Sequence, residues 1–295
     1  APHLKVPFLK YLLPENDWWK AESHENLEIP IGKSGSDIHS ITISTEDTNG
    51  ALLIGTTGSG KSNLLHVIIA NAICKYSPDK LELYLVDLKG GVEFPPYADK
   101  YIPHIRAIAI DSEREFGLSV LEKLEKEMLD RQAKWNQLQV NDLACYHNRY
   151  PNEIMPRILL IVDEFQKFFA EDDEIKSKVD YILNDILNQG RAFGINILFA
   201  SQTLSGNNTL NKTIKEKFEI RIALKCLDTD VVQIFEEKNK AAKDLSGKGD
   251  GVYNDKKGLY IHNKKFQAFF VEKDRSDLNE FLEKIEKHSM SFGNK

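Results

Sequence analysis

Residues 51–62 read Ala51-Leu-Leu-Ile-Gly-Thr-Thr-Gly-Ser-Gly-Lys-Ser62, an apolar run followed by the glycine-rich pattern G-x-x-x-x-G-K-S. A helical run of mostly apolar residues follows at 63–74, so the pattern lies between a predicted strand and a predicted helix. Glycines let such a loop curl until its N–H groups and the helix N-terminus face phosphate oxygens. We therefore predict a nucleotide site formed by nine residues: Gly55, Thr56, Thr57, Gly58, Ser59, Gly60, Lys61, Ser62 and Asn63.

Two side chains of this loop have distinct predicted roles. Lys61 would reach the β- and γ-phosphates, and the Ser62 hydroxyl would bind Mg²⁺. A chance glycine-rich turn is a poor alternative, because the strand, the loop and the helix all agree. ATP with Mg²⁺ is the predicted ligand, since no Asn-Lys-x-Asp tetrapeptide for reading guanine occurs in the chain.

A second apolar run, Ile158-Leu-Leu-Ile-Val-Asp163-Glu164, ends in two carboxylates. Asp163 suits the water shell of Mg²⁺, and Glu164 can polarise the water that attacks the γ-phosphate. Adjacent acids are common on protein surfaces. Here, however, a buried strand would bring them to the carboxyl edge of the sheet, where open α/β sheets bind ligands.

Apolar runs of this kind predict the fold class. Continuous apolar strings are typical of strands buried on both faces, and the helical segments between them imply parallel strands with right-handed crossovers. We predict an α/β fold with a central, mostly parallel β-sheet flanked by helices. The predicted strands are residues 51–54, 81–86, 105–110, 158–162, 195–200 and 220–224.

Three helices have apolar stripes that predict core-facing sides. Ser112-Glu-Arg-Glu115 has the pattern of a capping box and would open the first of them. The third stripe lies near the C-terminal end of the chain. The stripes are Leu121, Leu124, Met128 and Trp135; Val179, Ile182, Leu183, Ile186 and Leu187; and Leu278, Phe281, Leu282 and Ile285.

Two further polar positions follow predicted strands at the same sheet edge. Gln202 comes after the strand at 195–200 and would sense the γ-phosphate, or would be an ordinary loop amide; the sequence favours neither. Asp87 and Lys89 end another core strand and would couple nucleotide to a neighbour or a substrate. A simple ion pair within the loop is nearly as good an explanation for them.

The phosphoryl-transfer transition state spreads negative charge, and multimeric motors often supply an arginine from an adjacent subunit to stabilise it. Arg191, just past a predicted helix, and Arg221, within a predicted strand, are the candidates. For each of them an ion pair within the same chain is the stronger expectation, by roughly two to one.

Composition limits the possible function classes. The chain has 295 residues and a net charge of −6, which argues against coating nucleic acid with the whole surface but permits a narrow basic patch. The three cysteines are far apart, as expected for reduced core residues in the cytoplasm. The sequence has no apolar run of membrane-spanning length, so we predict a cytoplasmic piece without direct membrane insertion, whose full-length protein could be tethered to a membrane.

The predicted organisation has three parts. Residues 1–49 form a leader with Trp18-Trp19 and short strand signals at 27–31 and 41–43, residues 50–275 form the ATPase domain, and residues 276–295 form a C-terminal helix and tail. The Gly- and Lys-rich stretch 238–251 is predicted to be loop or short helix. The abrupt start and end suggest a fragment of a larger protein.

Several stretches in a fixed order resemble the FtsK/SpoIIIE family of motor ATPases, which have RecA-like P-loop folds. The resemblance covers roughly residues 29–271. Its pieces are Ile31-Gly-Lys33, the P-loop at 55–62, Leu85-Val-Asp-Leu-Lys-Gly-Gly91, Ile102-Pro-His-Ile105, Met128-Leu-Asp-Arg131, Leu160-Ile-Val-Asp-Glu-Phe165, Gly190-Arg-Ala-Phe-Gly-Ile-Asn196, Ala200-Ser-Gln202, Arg221-Ile-Ala-Leu-Lys225 and Leu245-Ser-Gly-Lys-Gly-Asp250.

The resemblance implies a homo-oligomeric ring, a hexamer, with nucleotide between subunits and a channel through which ATP hydrolysis drives double-stranded DNA. Lys61, Ser62, Asp163, Glu164 and Gln202 would keep the roles given above, and Arg191 or Arg221 would complete the neighbour's site. A DNA translocase is therefore our first functional prediction.

Two departures from the family pattern support other functions. Asp87-Leu-Lys89-Gly-Gly replaces the usual Asp-Pro-Lys and is similar to the type VII secretion ATPases, which move proteins; Ser201-Gln-Thr203 replaces Thr-Gln-Arg-Pro. The alternatives are a secretion ATPase acting on a protein substrate, and a nucleotide-dependent scaffold with slow hydrolysis. Basic residues at 238–248, with Lys212 and Lys215, would line a channel or would simply be solvated.

Overall fold

The computed structural model describes residues 5–109, 113–204 and 210–292, whose strands form one mixed sheet. The sheet order is β3-β2-β11-β10-β9-β4-β8-β7-β5-β6, with β1 paired to β11. The strands are β1 (Val6–Pro7), β2 (Asn26–Ser34), β3 (Asp37–Ser44), β4 (Gly50–Ile54), β5 (Leu81–Asp87), β6 (Ile105–Ala109), β7 (Arg157–Asp163), β8 (Ile195–Ser201), β9 (Ile220–Ala223), β10 (Asp250–Asn254) and β11 (Lys264–Phe270).

The predicted parallel sheet is confirmed in one half of this sheet. From β9 through β4, β8, β7 and β5 to β6, every pair of neighbouring strands is parallel. β4, β7 and β8 are buried along their whole length, as their nearly continuous apolar sequences predict. The strand predicted at 105–110 is β6, although Ile110 lies outside the described residues.

The other half of the sheet is antiparallel except for the parallel pair of β1 and β11, and it contains strands that the sequence patterns did not reveal. β10 pairs with β9 and β11, and β11 pairs in turn with β2. The hairpin of β2 and β3 contains the strand signals of the predicted leader, so residues 26–44 continue the main sheet rather than forming a separate layer.

Helices cover both faces of the sheet and explain the three apolar stripes, every member of which is buried. The N-terminal end of the capping box, Ser112, lies outside the described residues, and α4 begins at Arg114. The helices are α1 (Phe8–Tyr11), α2 (Lys61–Lys75), α3 (Pro95–Ala98), α4 (Arg114–Leu138), α5 (Leu143–Arg149), α6 (Glu174–Gln189), α7 (Lys212–Lys215), α8 (Asp228–Ile234) and α9 (Ser276–Phe292).

Two hydrophobic cores lie on opposite faces of the sheet. One contains α2 and α9, and the other contains α4 and α6. Alternate residues of the central strands divide between them: Leu53 belongs to the first core and its neighbour Leu52 to the second. The fold is therefore a sheet sandwiched between two helical layers.

The leader and the C-terminal helix pack against each other. The ring of Trp18 contacts that of Phe281 with centroids 5.6 Å apart, and the Trp18 indole donates to the Leu13 carbonyl. The Trp19 indole donates to the Ile73 carbonyl of α2 at 2.8 Å. These contacts join the two ends of the described chain to the helix that follows the P-loop. Among the described residues, none of the helices combines the length and apolar content needed to cross a bilayer.

The buried, neutral His104 should make the protein less stable in acid. Burial lowers the pKa of His104 from its ordinary value of 6.5 to about 4, and its Nε2 donates to the Tyr76 carbonyl at 2.7 Å. The unfolded chain takes up a proton at this residue below about pH 6.5, whereas the folded chain does not, so stability falls as the pH drops towards 4. We expect this histidine alone to lower the free energy of unfolding by about 2 kcal/mol between pH 7 and 5.

Urea unfolding at pH 7 and pH 5 measures this effect. His104→Gln should reduce the difference between the two pH values by about 2 kcal/mol, whatever its effect on stability at pH 7. Between pH 7 and 8 the wild type and the variant should differ by a constant amount, which is the internal control. An unchanged difference between pH 7 and 5 would show that His104 does not contribute to acid sensitivity.

Candidate nucleotide-binding site

The glycine-rich loop lies between β4 and α2, as predicted. Gly60 is the N-cap of α2 and has a φ of 103°, a conformation that residues with a side chain rarely adopt. A Cβ at Gly60 would also lie 3.1 Å from the backbone nitrogen of Gly249, and a Cβ at Gly55 would lie 2.5 Å from Ser59 Oγ. The loop therefore needs glycine at both positions.

A polar cavity opens at the N-terminus of α2. The first N–H groups of a helix have no partner within it and carry the positive end of its dipole, so they favour phosphate. The cavity has a volume of about 210 Å³. It is lined by Thr56, Thr57, Gly58, Gly60, Lys61, Ser62, Asn63, Lys89, Glu93, Gln202 and Lys248.

Lys61 meets the acidic pair at this cavity. Its Nζ donates to Asp163 Oδ1, across 102 positions of sequence, and lies 3.3 Å from Glu164 Oε1. The side chains of Lys61 and Asp163 are 5% and 1% exposed. The structure thus brings the predicted phosphate ligand and both predicted carboxylates to one point, where the buried cation compensates the buried acids.

The burial of Asp163 and its carboxylate oxygen, unpaired among the described residues, are suited to binding a cation. Burial raises the pKa of Asp163 from 3.8 to about 6, and this effect outweighs the attraction of Lys61, which lowers it. Within the described parts of the chain, Asp163 Oδ2 has no hydrogen-bond partner. A buried carboxylate oxygen without a partner is costly unless a ligand or water satisfies it.

The oxygen atoms of Ser62 and Asp163 fit Mg²⁺, which prefers hard oxygen ligands. Mg²⁺ usually keeps several waters and is held through one or two carboxylates together with phosphates. The described residues contain no group of three or more His, Cys, Asp and Glu arranged to hold a metal ion by themselves.

Glu164 has an unusual backbone conformation, and its side chain contacts Gln166, a residue that the sequence analysis did not identify. Its φ is 55°, in the left-handed region, where a side chain is uncommon and often marks a functional site. Gln166 Nε2 donates to Glu164 Oε2 at 2.6 Å, and Gln166 Oε1 lies 2.7 Å from the Ser201 hydroxyl. Gln166 therefore connects the acidic pair to the end of β8.

Gln202 lies at the same cavity. β8 is inserted between β4 and β7, so its carboxyl end lies between the P-loop and the acidic pair. The Thr57 hydroxyl donates to Gln202 Oε1 at 3.2 Å. This placement suits a side chain that contacts the γ-phosphate.

Asp87 and Lys89 have different surroundings. The Asp87 carboxylate accepts the backbone N–H groups of Lys89, Val92 and Glu93 at 2.7–2.9 Å and so shapes the loop after β5. Lys89 is exposed and lines the cavity. The interpretation as an ion pair between Asp87 and Lys89 is therefore wrong: the Asp87 carboxylate bonds to the backbone of Lys89 and not to its side chain.

Asn63 has a structural use besides lining the cavity. Its Nδ2 donates to the Phe269 carbonyl at 2.7 Å, and its Oδ1 accepts the N–H of Val271 at 2.7 Å. The predicted nucleotide contact of Asn63 thus has to coexist with two bonds that attach α2 to the end of β11.

Neither candidate arginine reaches this cavity in its own chain. Arg191 precedes β8, at the opposite edge of the sheet, where it contributes after Lys256 to lowering the pKa of Asp47. Arg221 is 3% exposed, donates to the Ile234 carbonyl at 3.0 Å and lies 3.6 Å from Glu216. Intramolecular partners, the stronger expectation, are therefore present for Arg221.

Two residues at the cavity were missed by the sequence analysis as parts of the site. Lys248, considered there only as a channel residue, lies beside Gly249, whose N–H donates to the Ser59 carbonyl of the P-loop at 2.8 Å. Glu93 accepts the Ser62 hydroxyl at 2.6 Å. Glu93 belongs to no motif quoted above, whereas Lys248 lies within Leu245-Ser-Gly-Lys-Gly-Asp250, one of the stretches that resemble the family, and that resemblance was the available signal for it.

Comparison with known proteins gives the family and the fold. Residues 9–206 match the FtsK/SpoIIIE family. The ESX secretion system protein YukB of Bacillus subtilis (strain 168) is 30% identical over 244 residues, which cover 79% of this chain and 16% of that protein. The chain therefore spans only a small part of this relative.

Solved structures agree with this fold. The cytoplasmic domain of the Thermomonospora curvata type VII secretion ATPase EccC has a TM-score of 0.76 at 22% identity, covering 97% of this chain and 34% of that one. ATPases 2 and 3 of the same EccC, in complex with a signal sequence peptide, have a TM-score of 0.74 at 15% identity, with coverage of 97% and 53%. The pCW3 conjugation coupling protein TcpA with ATPγS has a TM-score of 0.72 at 23% identity, covering 95% of this chain and 74% of that one.

Proposed function

Because this chain belongs to the FtsK/SpoIIIE family of ATPases, we propose that it is the ATP-hydrolysing motor unit of a secretion system and acts on a protein substrate. The observation that carries this proposal is the 30% identity with an ESX secretion system protein over 79% of the chain. Asp87-Leu-Lys89-Gly-Gly, in the loop that borders the nucleotide cavity, supports the same choice.

Double-stranded DNA, the substrate of our first functional prediction, is the second candidate. We retain DNA as a candidate substrate because TcpA, which shares this fold, is named a conjugation coupling protein. The basic residues that would line a DNA channel are partly committed to other contacts. Lys243 donates to Asp228 at 2.7 Å, and Lys248 lines the nucleotide cavity. These contacts weigh against a continuous basic channel formed by those lysines.

We propose the following division of work in ATP hydrolysis. The N-terminus of α2 and Lys61 bind the phosphates, so Lys61 must exchange Asp163 for the γ-phosphate. Ser62 and Asp163 would hold Mg²⁺, which when bound neutralises the charge of the β- and γ-phosphates. Glu164 accepts a proton from the attacking water, and Gln202 contacts the γ-phosphate.

Neither Arg191 nor Arg221 is among the described residues that line the cavity, and the family resemblance implies a site shared between subunits. We propose a homo-oligomeric ring, a hexamer, in which Arg191 or Arg221 of a neighbour completes the site. Arg191 is partly exposed, whereas Arg221 would have to leave its buried contacts to reach a neighbour.

We retain residues 50–275 as the proposed ATPase domain, with 1–49 as an adaptor segment and 276–295 as a C-terminal helix and tail. The sheet pairing of β2 and the packing of Trp18 on α9 attach both flanking segments to that domain. A cytoplasmic location is proposed, since the EccC structure that shares this fold is described as a cytoplasmic domain.

ATP turnover with two kinds of added polymer tests the choice of substrate. A peptide that carries the signal sequence of an ESX substrate should raise turnover or multimerise the protein, and a scrambled peptide should do neither. Duplex DNA should have no effect. If duplex instead raises turnover, and the increase fades with added salt as phosphate contacts predict, DNA is the substrate. Slow turnover with either polymer would support a nucleotide-dependent scaffold.

A further inference from the structure

Glu93 lies between the predicted metal ligand and the start of the C-terminal helix. The residue is 8% exposed, and its Oε1 accepts a hydrogen bond from the Ser62 hydroxyl at 2.6 Å. Its Oε2 lies 3.3 Å from Arg275 Nη2 and 3.7 Å from His66 Nε2. One buried acid therefore contacts the P-loop serine and an arginine that directly precedes α9.

The bond to Ser62 has a chemical consequence for metal binding. A serine hydroxyl has one O–H donor and two lone pairs. To bind a cation through a lone pair, the oxygen must direct its hydrogen away from the cation, towards an acceptor. A carboxylate is the strongest acceptor available, and partners of this kind orient metal ligands and increase their basicity. Glu93 Oε1 occupies that acceptor position.

The position of Glu93 is set from three sides. Its backbone N–H donates to Asp87 Oδ2 at 2.9 Å, and Asp87 is fully buried. Arg275 contacts the Glu93 carboxylate from a second side. Its φ of 58° lies in the same left-handed region as that of Glu164, so two residues near the site have an uncommon backbone conformation. His66 lies at the inner side, with its Nδ1 3.0 Å from the Tyr97 hydroxyl. This support is what a precisely oriented carboxylate requires.

We propose that Glu93 is a positioning residue of the magnesium site: it accepts the Ser62 hydroxyl hydrogen so that the lone pair faces the metal, and Arg275 keeps its carboxylate in place. The inference rests on the proposed Mg²⁺ at Ser62 and Asp163, and it is independent of the substrate of the motor. It also gives Arg275, at the start of α9, a direct connection to the nucleotide site.

Nucleotide binding with and without metal tests this role without using activity. Dissociation constants for a non-hydrolysable ATP analogue are measured by calorimetry in Mg²⁺ and in excess EDTA. The wild type should bind more tightly in Mg²⁺. In EDTA, Glu93→Gln should bind the analogue as the wild type does. Its gain in affinity from Mg²⁺ should be about 10–100-fold smaller than that of the wild type, the usual effect of removing such a partner. Arg275→Gln should show a smaller loss in the same sense.

Glu272→Gln is the matched control, because Glu272 is an exposed acid near Arg275; it should keep the full gain from Mg²⁺. Thermal unfolding checks that each variant is folded, and Arg275→Gln provides the test if Glu93→Gln does not fold. Equal weakening in Mg²⁺ and EDTA would assign Glu93 a purely structural role. A full gain from Mg²⁺ in Glu93→Gln would overturn the inference and leave the metal site standing, whereas no gain in the wild type would overturn both.

Discussion

Glu164→Gln is expected to bind ATP with nearly wild-type affinity while its turnover falls by about 10²–10⁴-fold. Glutamine has the shape of glutamate but cannot accept a proton from the attacking water. Glu164 is buried next to Lys61, and Gln166 donates a hydrogen bond to one of its carboxylate oxygens, so the side chain has a defined orientation. The loss should therefore appear in kcat rather than in the affinity for ATP.

Steady-state turnover and binding of ATP to the same preparation check this expectation. Glu171→Gln is the matched control, because its carboxylate lies a few residues further along the chain with a side chain that is 74% exposed. It should leave turnover unchanged. If Glu164→Gln hydrolyses ATP at the wild-type rate, Glu164 is not the general base, and the acceptor of the proton has to be found elsewhere.

Lys61→Ala is expected to weaken ATP binding by about 10–100-fold, because it removes charge-assisted hydrogen bonds to the phosphates worth about 1.5–3 kcal/mol. The structure adds a second consequence. Lys61 is a buried cation that contacts both Asp163 and Glu164. Removing it leaves two adjacent buried acids without compensation, so the pKa of Asp163, already raised by burial, should rise further.

Binding of ATP to Lys61→Ala and to the double variant Lys61→Ala/Asp163→Asn separates the two effects. The second substitution should restore thermal stability lost through repulsion between the acids, but it should not restore ATP affinity. Lys89→Ala removes an exposed lysine from the same cavity and should cost less affinity than Lys61→Ala. Equal losses for the two lysines would show that only the total positive charge of the cavity matters.

The P-loop and the acidic pair could be predicted because their signals are local. A loop conformation that needs glycine at Gly55 and Gly60 is encoded in eight consecutive residues, and the flanking apolar run reports burial on both faces of the sheet. The same logic applies to the helical stripes, whose spacing depends only on the geometry of one helix. Family and fold followed from an ordered set of such signals, and the match at 9–206 confirmed the family.

Long-range pairing accounts for what the patterns left open. β11 begins with the exposed Lys264 and Lys265, and β10 begins with Asp250-Gly251 and ends at Asn254, so neither has the nearly continuous apolar string of a central strand. Their place beside β9 and β2 arises from backbone hydrogen bonds to segments far away in sequence. Within the described residues, the hairpin of β2 and β3 likewise joins the main sheet through β11.

Side-chain partners follow the same rule. The motifs predicted that Lys61 and Asp163 share one site, but they gave no sign that Glu93 and Arg275 belong to it, because partners 31 and 182 positions apart leave no local periodicity. Residue types and short spacings were sufficient to propose the chemistry of ATP hydrolysis. The packing of distant strands and helices was needed to show which acid faces Ser62, which arginine is buried, and which lysine borders the cavity, since those contacts exist only once the sheet has assembled.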